Sequence, residues 1–235
     1  MRKWVVLALI AVPLLILLTL PAALIIPRFD PPPAMSSYGG TIWSGNARWL
    51  QAGQVPMRLT WRWSGGLTWR WEAMDATSQL QGEWRPGDKT DLSNITGRLD
   101  LDRVDLAHWL VATRPAGYLD LAIDSAILQT GEVPRVVGQV TWEQARLEGS
   151  IQESLGRIQI ELEHENGQQL ARLRSLDPAP IQVRGEIVTD ADSYSTDIWL
   201  RASNDRPDLG AQIGALGERQ SDGQVRLRVR GALGW

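Results

Sequence analysis

The sequence predicts a mainly β protein: an antiparallel sheet domain with one or two short helices, carried behind a single N-terminal membrane helix. Three observations predict it. Apolar and polar residues alternate over many short stretches separated by turn residues. The composition, with 12 Trp, 22 Gly and few Lys, suits short strands and turns better than a helical bundle. Finally, Trp4 to Ile26 holds 23 residues without a single charge.

That apolar run divides the chain. As a helix it measures roughly 35 Å, enough to cross a bilayer core with some tilt, and a helix satisfies its own backbone groups where lipid cannot. Arg2 and Lys3 precede it, which places the N-terminus in the cytoplasm and the remainder on the far side. A cleaved signal peptide also starts with basic residues. Against cleavage, the run is longer than an h-region and passes Pro21-Ala22-Ala23 without an A-x-A site behind it. Pro13 and Pro21 are tolerable in a membrane helix, although Pro21 is a place to kink or end it. The expected organisation is a cytoplasmic start at 1–3, an anchor at 4–26, a Pro-rich spacer at 27–38 and a β-rich periplasmic domain at 39–235. Pro31-Pro32-Pro33 gives the spacer a stiff, extended character.

Gly39 to Ala47 opens the folded part. Val55 to Trp63 then alternates, with Met57, Leu59, Trp61 and Trp63 on one face and Arg58, Thr60 and Arg62 on the other. A Ser64-Gly65-Gly66 turn leads into Leu67, Trp69 and Trp71, which alternate with Thr68, Arg70 and Glu72, so the two segments read as a hairpin. Further strands are expected at Leu80–Trp84, Ile95–Leu101, Gly117–Ile123, Val136–Trp142, Ala145–Ile151, Gly156–Glu163, Ile181–Thr189, Ser195–Arg201 and Gly223–Leu233. One apolar face and one polar face, repeated this often, indicates antiparallel sheet. Two segments have helical spacing. Asp102 to Ala112 carries Leu106, Trp109 and Leu110 and stops before Pro115. Asp208 to Arg219 carries Leu209, Ile213 and Leu216, with Asn204 or Asp205 as N-caps. Gly210, Gly214 and Gly217 shorten the second.

The residues that chemistry needs are missing or scattered. The absence of cysteine excludes disulfides, thiolate metal sites and thiol nucleophiles. His108 and His164 are far apart in sequence, and no zinc, calcium-loop, nucleophile-elbow or phosphate-loop pattern occurs. Asp120 and Asp124 read as solvated side chains. Asn94-Ile95-Thr96 is a chance-level glycosylation match. Arg58, Arg62 and Arg70 read as the wet side of the hairpin, with cation–π contact to the nearby indoles as the alternative. Setting Arg2 and Lys3 aside leaves 22 basic against 27 acidic residues, so a nucleic-acid partner is not expected. The expectation is a non-enzyme with no metal and no cofactor. The indoles of Trp61, Trp63, Trp69 and Trp71 form its candidate interaction face; the competing reading is a core face.

Gly40-Thr41-Ile42-Trp43-Ser44-Gly45-Asn46-Ala47 resembles the opening of the periplasmic part of protein N of the bacterial type II (general) secretion pathway. The motif residues are Gly40, Thr41, Trp43, Ser44 and Gly45. Leu59-Thr60-Trp61-Arg62-Trp63 fits the same pattern. Asp208-Leu209-Gly210, Leu216-Gly217 and Asp222-Gly223-Gln224-Val225, ending at Gly231-Ala232-Leu233, resemble the family's closing helix and strand. The resemblance implies a curved, groove-like sheet similar to AsmA-like proteins, with no catalytic residues. It implies a single-pass inner-membrane component, held through Trp4–Ile26, that supports secretion by contacts with other secretion-system subunits. The alternative it raises is a lipid-binding or envelope-maintenance protein with an apolar groove of about 12 strands, roughly 60 Å long at the usual strand spacing.

Overall fold

Alternation punctuated by turns makes strands here, and the strands pair in the order in which the chain supplies them. The computed structural model describes residues 19–29, 34–50, 56–103, 113–129, 131–149 and 152–232. Fourteen strands among these form one antiparallel sheet. They are β1 (Met35–Gly40), β2 (Ser44–Trp49), β3 (Met57–Gly65), β4 (Thr68–Met74), β5 (Gln79–Arg85), β6 (Thr90–Asp100) and β7 (Thr113–Leu128). Then follow β8 (Arg135–Gly149), β9 (Glu153–Glu165), β10 (Gln168–Ser175), β11 (Ile181–Thr189), β12 (Ser193–Ala202), β13 (Glu218–Arg219) and β14 (Val225–Ala232). Strands β1 to β12 are a continuous meander; β14 pairs with β12, and the two-residue β13 lies on the outer side of β14. The sheet is open, with β1 and β13 at its edges.

The register keeps apolar residues together across many strands. Trp61 faces Trp71, Leu119 faces Trp142, Val140 faces Ile160, and Leu200 faces Val225. Four consecutive strands break the two-residue period and still keep their apolar side. Leu92 and Ile95 pack in one cluster, as do Ile123 and Ala126, Trp142 and Ala145, and Leu155 and Ile158, each pair three residues apart. Each insertion is absorbed by a local irregularity, with Asn94 (φ 52°), Gln144 (φ 51°) and Gly156 (φ 71°) in left-handed conformation on three of the four strands. Such bulges reset the alternation and bend the strand.

Towards the C-terminus a helix covers the apolar face. α1 (Ala22–Ile25) is a single turn near the start, and α2 (Pro207–Gly214) is the longer of the two α-helices among the described residues. Pro207 opens α2 in the first turn, where its missing N–H costs nothing. Leu209 (0% exposed) and Ile213 (1%) lie one turn apart on its buried side. They join Ala145, Leu155, Ile158, Ile181, Val183 and Val225 in one core cluster. A second cluster centres on Ile123, Ala126 and Val140.

Several expectations are corrected. The region expected as one anchor helix, Trp4–Ile26, is not continuous in its described part. Pro21 is extended (ψ 131°) and bridges Thr41, while Ala22–Ile25 is a separate turn followed by a 3-10 turn at Ile26–Phe29. A proline breaks the helical ladder, and here the sheet takes up the freed backbone. Residues 4–18 lie outside the described residues, among which no helix is long and apolar enough to cross a membrane. The sheet begins at Met35, inside the expected spacer; Pro31-Pro32-Pro33 lies outside the described residues. Val136–Trp142 and Ala145–Ile151 are not two strands but one, β8, bulged at its middle. The helix expected at Asp102–Ala112 falls largely outside the described residues; Leu101–Arg103 is a 3-10 turn, and Thr113–Ala116 already belongs to β7. The closing helix ends at Gly214 rather than Arg219, because Glu218 and Arg219 pair with β14. Its N-cap position is Arg206, without a side-chain cap, rather than Asn204 or Asp205.

Candidate functional site

The 40–45 motif builds a latch over the tryptophan hairpin. Gly40 has φ 76°, and a Cβ there would sit 2.5 Å from the Ser44 carbonyl oxygen, so only glycine enters this turn without strain. The Thr41 hydroxyl accepts from the Ser44 N–H at 3.1 Å and closes the turn. The turn then lends its carbonyls to the indoles beneath it. Trp61 Nε1 donates to the Thr41 carbonyl at 3.1 Å, and Trp69 Nε1 donates to the Ile42 carbonyl at 3.0 Å. Gly45 lies against the Trp61 ring, where a Cβ would come within 2.4 Å of Cζ2. The Ile42 N–H donates to the Leu20 carbonyl at 3.1 Å, which ties the segment before α1 to the same turn.

Trp43 completes the latch. Its ring is 5.7 Å from that of Trp63, edge to face, and 6.1 Å from that of Trp69, stacked. Trp69 in turn lies 5.7 Å from Trp84. The four indoles expected as an interaction face do share one side of the sheet, as the cross-strand pairs Trp61–Trp71 and Trp63–Trp69. Much of their surface is spent on this internal packing. Trp63 stays 46% exposed at the end of the hairpin, beside Leu67 at 70%. Trp71 Nε1 is buried without a hydrogen-bond partner.

The opposite, polar face of the same strands is hollow. A cavity of about 790 Å³ opens over β2 to β5. Alternation sends Ser44, Asn46, Arg58, Thr60, Arg62, Ser64, Arg70, Glu72 and Gln81 to its side. The register sets Arg62 directly opposite Arg70, and Arg48 directly opposite Arg58. Like charges so placed repel. Arg48, Arg58 and Arg62 have no carboxylate partner among the described residues, and the nearest to Arg70 is Glu83 at 4.0 Å. Glu72 is engaged by Gln79 Nε2 at 2.8 Å. The alternative reading, cation–π contact of these arginines with the hairpin indoles, is not seen among the described residues, because alternation sends the two sets of side chains to opposite faces. The cation–π contacts lie elsewhere: Arg184 and Arg226 over Trp199, and Arg98 over Tyr118.

Several arginines farther along the sheet are paired. Arg98 grips Asp120 with two hydrogen bonds of 2.6 and 2.7 Å, and Arg157 grips Asp177 with two of 2.6 and 2.9 Å. Arg172 meets Glu163 at 2.6 Å, and Arg226 Nε meets Asp197 at 2.7 Å. Hydrogen bonds from these guanidinium groups hold Asp120, Asp177 and Asp197 below the usual carboxylate range. Asp120, read from sequence as solvated, is therefore half of an ion pair.

No metal-binding arrangement is formed by three or more His, Asp or Glu side chains among the described residues. His164 is half-buried on β9, its Nδ1 without a partner; His108 lies outside the described residues. The polar hollow went unread in the sequence, although a signal was there. No Asp or Glu stands between Asp30 and Glu72, while Arg48, Arg58, Arg62 and Arg70 all do.

These features define a class: an open single-sheet β meander whose apolar face is latched by indoles at one end and by a helix at the other, with an arginine-lined hollow on its polar face. The family follows from comparison. The family model for the type II secretion system (T2SS), protein N, matches residues 34–228, and the chain belongs to that family. The match starts one residue before β1 and ends within β14, so it spans the sheet. No similar protein was found among those with curated descriptions, and no similar solved structure.

Proposed function

We propose that this protein is a non-enzymatic, inner-membrane component of the type II secretion system that works through protein contacts made by a periplasmic sheet. Membership of the protein N family carries the reading, because it ties the chain to secretion and to other secretion-system subunits. The single-pass topology rests on the sequence: Trp4–Ile26 is uncharged and follows Arg2 and Lys3. The bond from Ile42 to Leu20 supports it, since it would fix the sheet close to the end of such an anchor. A lipid-holding groove is less favoured. The latch occupies the apolar face at one end and α2 occupies it at the other, while the hollow over β2–β5 is lined mostly by polar residues, with Trp61, Trp63 and Trp71 among them.

The test is deletion of the gene, followed by measurement of folded exoprotein released to the medium and of secretion-system assembly. Reduced release that the full chain restores is the expected result. Normal release and normal assembly would remove the role.

A further inference from the structure

We infer that the hollow over β2–β5 is a docking groove for an extended, acidic segment of a partner protein. This rests on the secretion reading for the partner's setting and goes beyond it in naming the chemistry that is recognised. Charge selects the ligand. Four arginines crowd one face, set as two like-charge cross-strand pairs, in a chain whose formal net charge is −3. Elsewhere on the sheet Arg98, Arg172 and Arg226 each meet a carboxylate. Among the described residues, the four in the hollow region lack such a match within 4.0 Å, apart from Glu83 at that distance from Arg70. An incoming carboxylate removes the repulsion, and guanidinium groups bind carboxylates in a two-pronged geometry.

Shape selects the form of the ligand. Arg58 and Arg62 stand four residues apart on β3, roughly 13 Å along an extended strand. A peptide lying along the groove meets both with acidic residues at the same spacing. Thr60 and Asn46 line the floor between them, Ser44 and Ser64 lie beside and beyond Arg62, and all four offer hydrogen bonds to a peptide backbone. The volume of about 790 Å³ suits a short peptide. A flat bilayer surface does not reach the floor of a concave site, so anionic lipid is the poorer fit.

The experiment uses the full chain in neutral detergent. The probe is a fluorescein-labelled peptide with glutamate at every fourth position, read by fluorescence anisotropy. The comparison ligands are the same peptide with glutamine for glutamate, and vesicles of phosphatidylglycerol and phosphatidylcholine. The expected result is binding that weakens at least tenfold in R58E/R62E and weakens with added salt. R230E, the same kind of charge change on distant β14, leaves binding unchanged. Thermal unfolding of R58E/R62E reports whether the variant is folded, and R58Q/R62Q is the milder substitute if it is not. Equal binding by the variant and the natural chain overturns the inference. So does equal loss in R230E, equal binding of the glutamine peptide, or vesicle binding through these arginines without peptide binding. Exoprotein release from the deletion strain is scored separately. Failed peptide binding with an intact secretion role removes only the docking chemistry.

Discussion

The two ends of this sheet solve the same packing problem with different materials and leave their polar faces in different electrical states. Towards the C-terminus, a helix covers part of the apolar face through Leu209 and Ile213, packed on β8, β9, β11 and β14, and Arg98, Arg157, Arg172 and Arg226 on the other face are each clamped by aspartate or glutamate. Over β2 to β5, the 40–45 turn with Trp43 covers part of the apolar face, and the arginines opposite are left facing one another. Stability alone favours the first arrangement everywhere. The second persists where a surface has a job to do, because natural proteins keep destabilising arrangements at functional sites.

Substitutions on the two covers test the comparison most strongly. Leu209→Ala opens a cavity in the core cluster and is expected to cost about 3 kcal/mol by denaturant unfolding. Trp43→Ala removes the ring between Trp63 and Trp69; as that ring is half-buried, the expected cost is nearer 2 kcal/mol. If the latch is a structural element, Trp43→Ala also raises hydrogen exchange in β3 and β4 while leaving β11 and β12 unchanged. Uniform exchange along the sheet would show that the two ends do not differ in this way.

Charge substitutions are expected to have opposite signs in the two regions. Asp120→Ala leaves Arg98 alone and is expected to lower stability by about 0.5–1 kcal/mol, the range for a partly exposed pair. Arg62→Gln relieves the Arg62–Arg70 repulsion and is expected to raise it by up to about 0.5 kcal/mol. A loss of stability in Arg62→Gln would show that the hollow is already balanced.

Acid provides the subtlest contrast. Asp120, Asp177 and Asp197 have folded-state pKa values below their unfolded values near 3.9. Their contribution is fully present above about pH 4–5 and is lost as pH falls through the lower folded values. Hydrogen exchange, corrected for its intrinsic pH dependence, is expected to loosen β6 to β14 first as the pH approaches 3. Among the described residues, Arg48, Arg58 and Arg62 on β2 and β3 have no carboxylate pair to lose.

Much of this architecture was legible in the sequence where the alternation is strict. Met57 to Trp71 gave the hairpin and its two faces because Gly65 and Gly66 mark the turn and the indoles recur at every second position. Asp190-Ala191-Asp192 joins the strands expected at Ile181–Thr189 and Ser195–Arg201, and Asp190 accepts from the N–H groups of Asp192 and Ser193 there. The bulges were not readable. Leu92 and Ile95 are three apart, a helical spacing, and nothing in Asn94 or Gln144 announces a left-handed backbone. β1 was hidden in the spacer because Met35–Gly40 scarcely alternates, and β10 was missed because Leu170 sits on the polar side of Ala171 and Leu173. The hollow is lined mainly by polar side chains that alternate with the tryptophans, so tryptophan content did not point to it. Indoles draw attention as interface residues, but here Thr41 and Ile42 accept from Trp61 and Trp69, and that capture depends on contacts about 20 to 30 residues apart.

A photo-crosslinking amino acid at Thr60, on the floor of the hollow, tests the central claim most directly when compared in secreting cells with the same residue at Glu186 on β11. The account predicts a crosslink from position 60 to an acidic segment of a secretion-system subunit, identified by mass spectrometry and lost in R58E/R62E, with none from position 186. Equal crosslinking from both positions, or a position-60 crosslink that survives R58E/R62E, would contradict it.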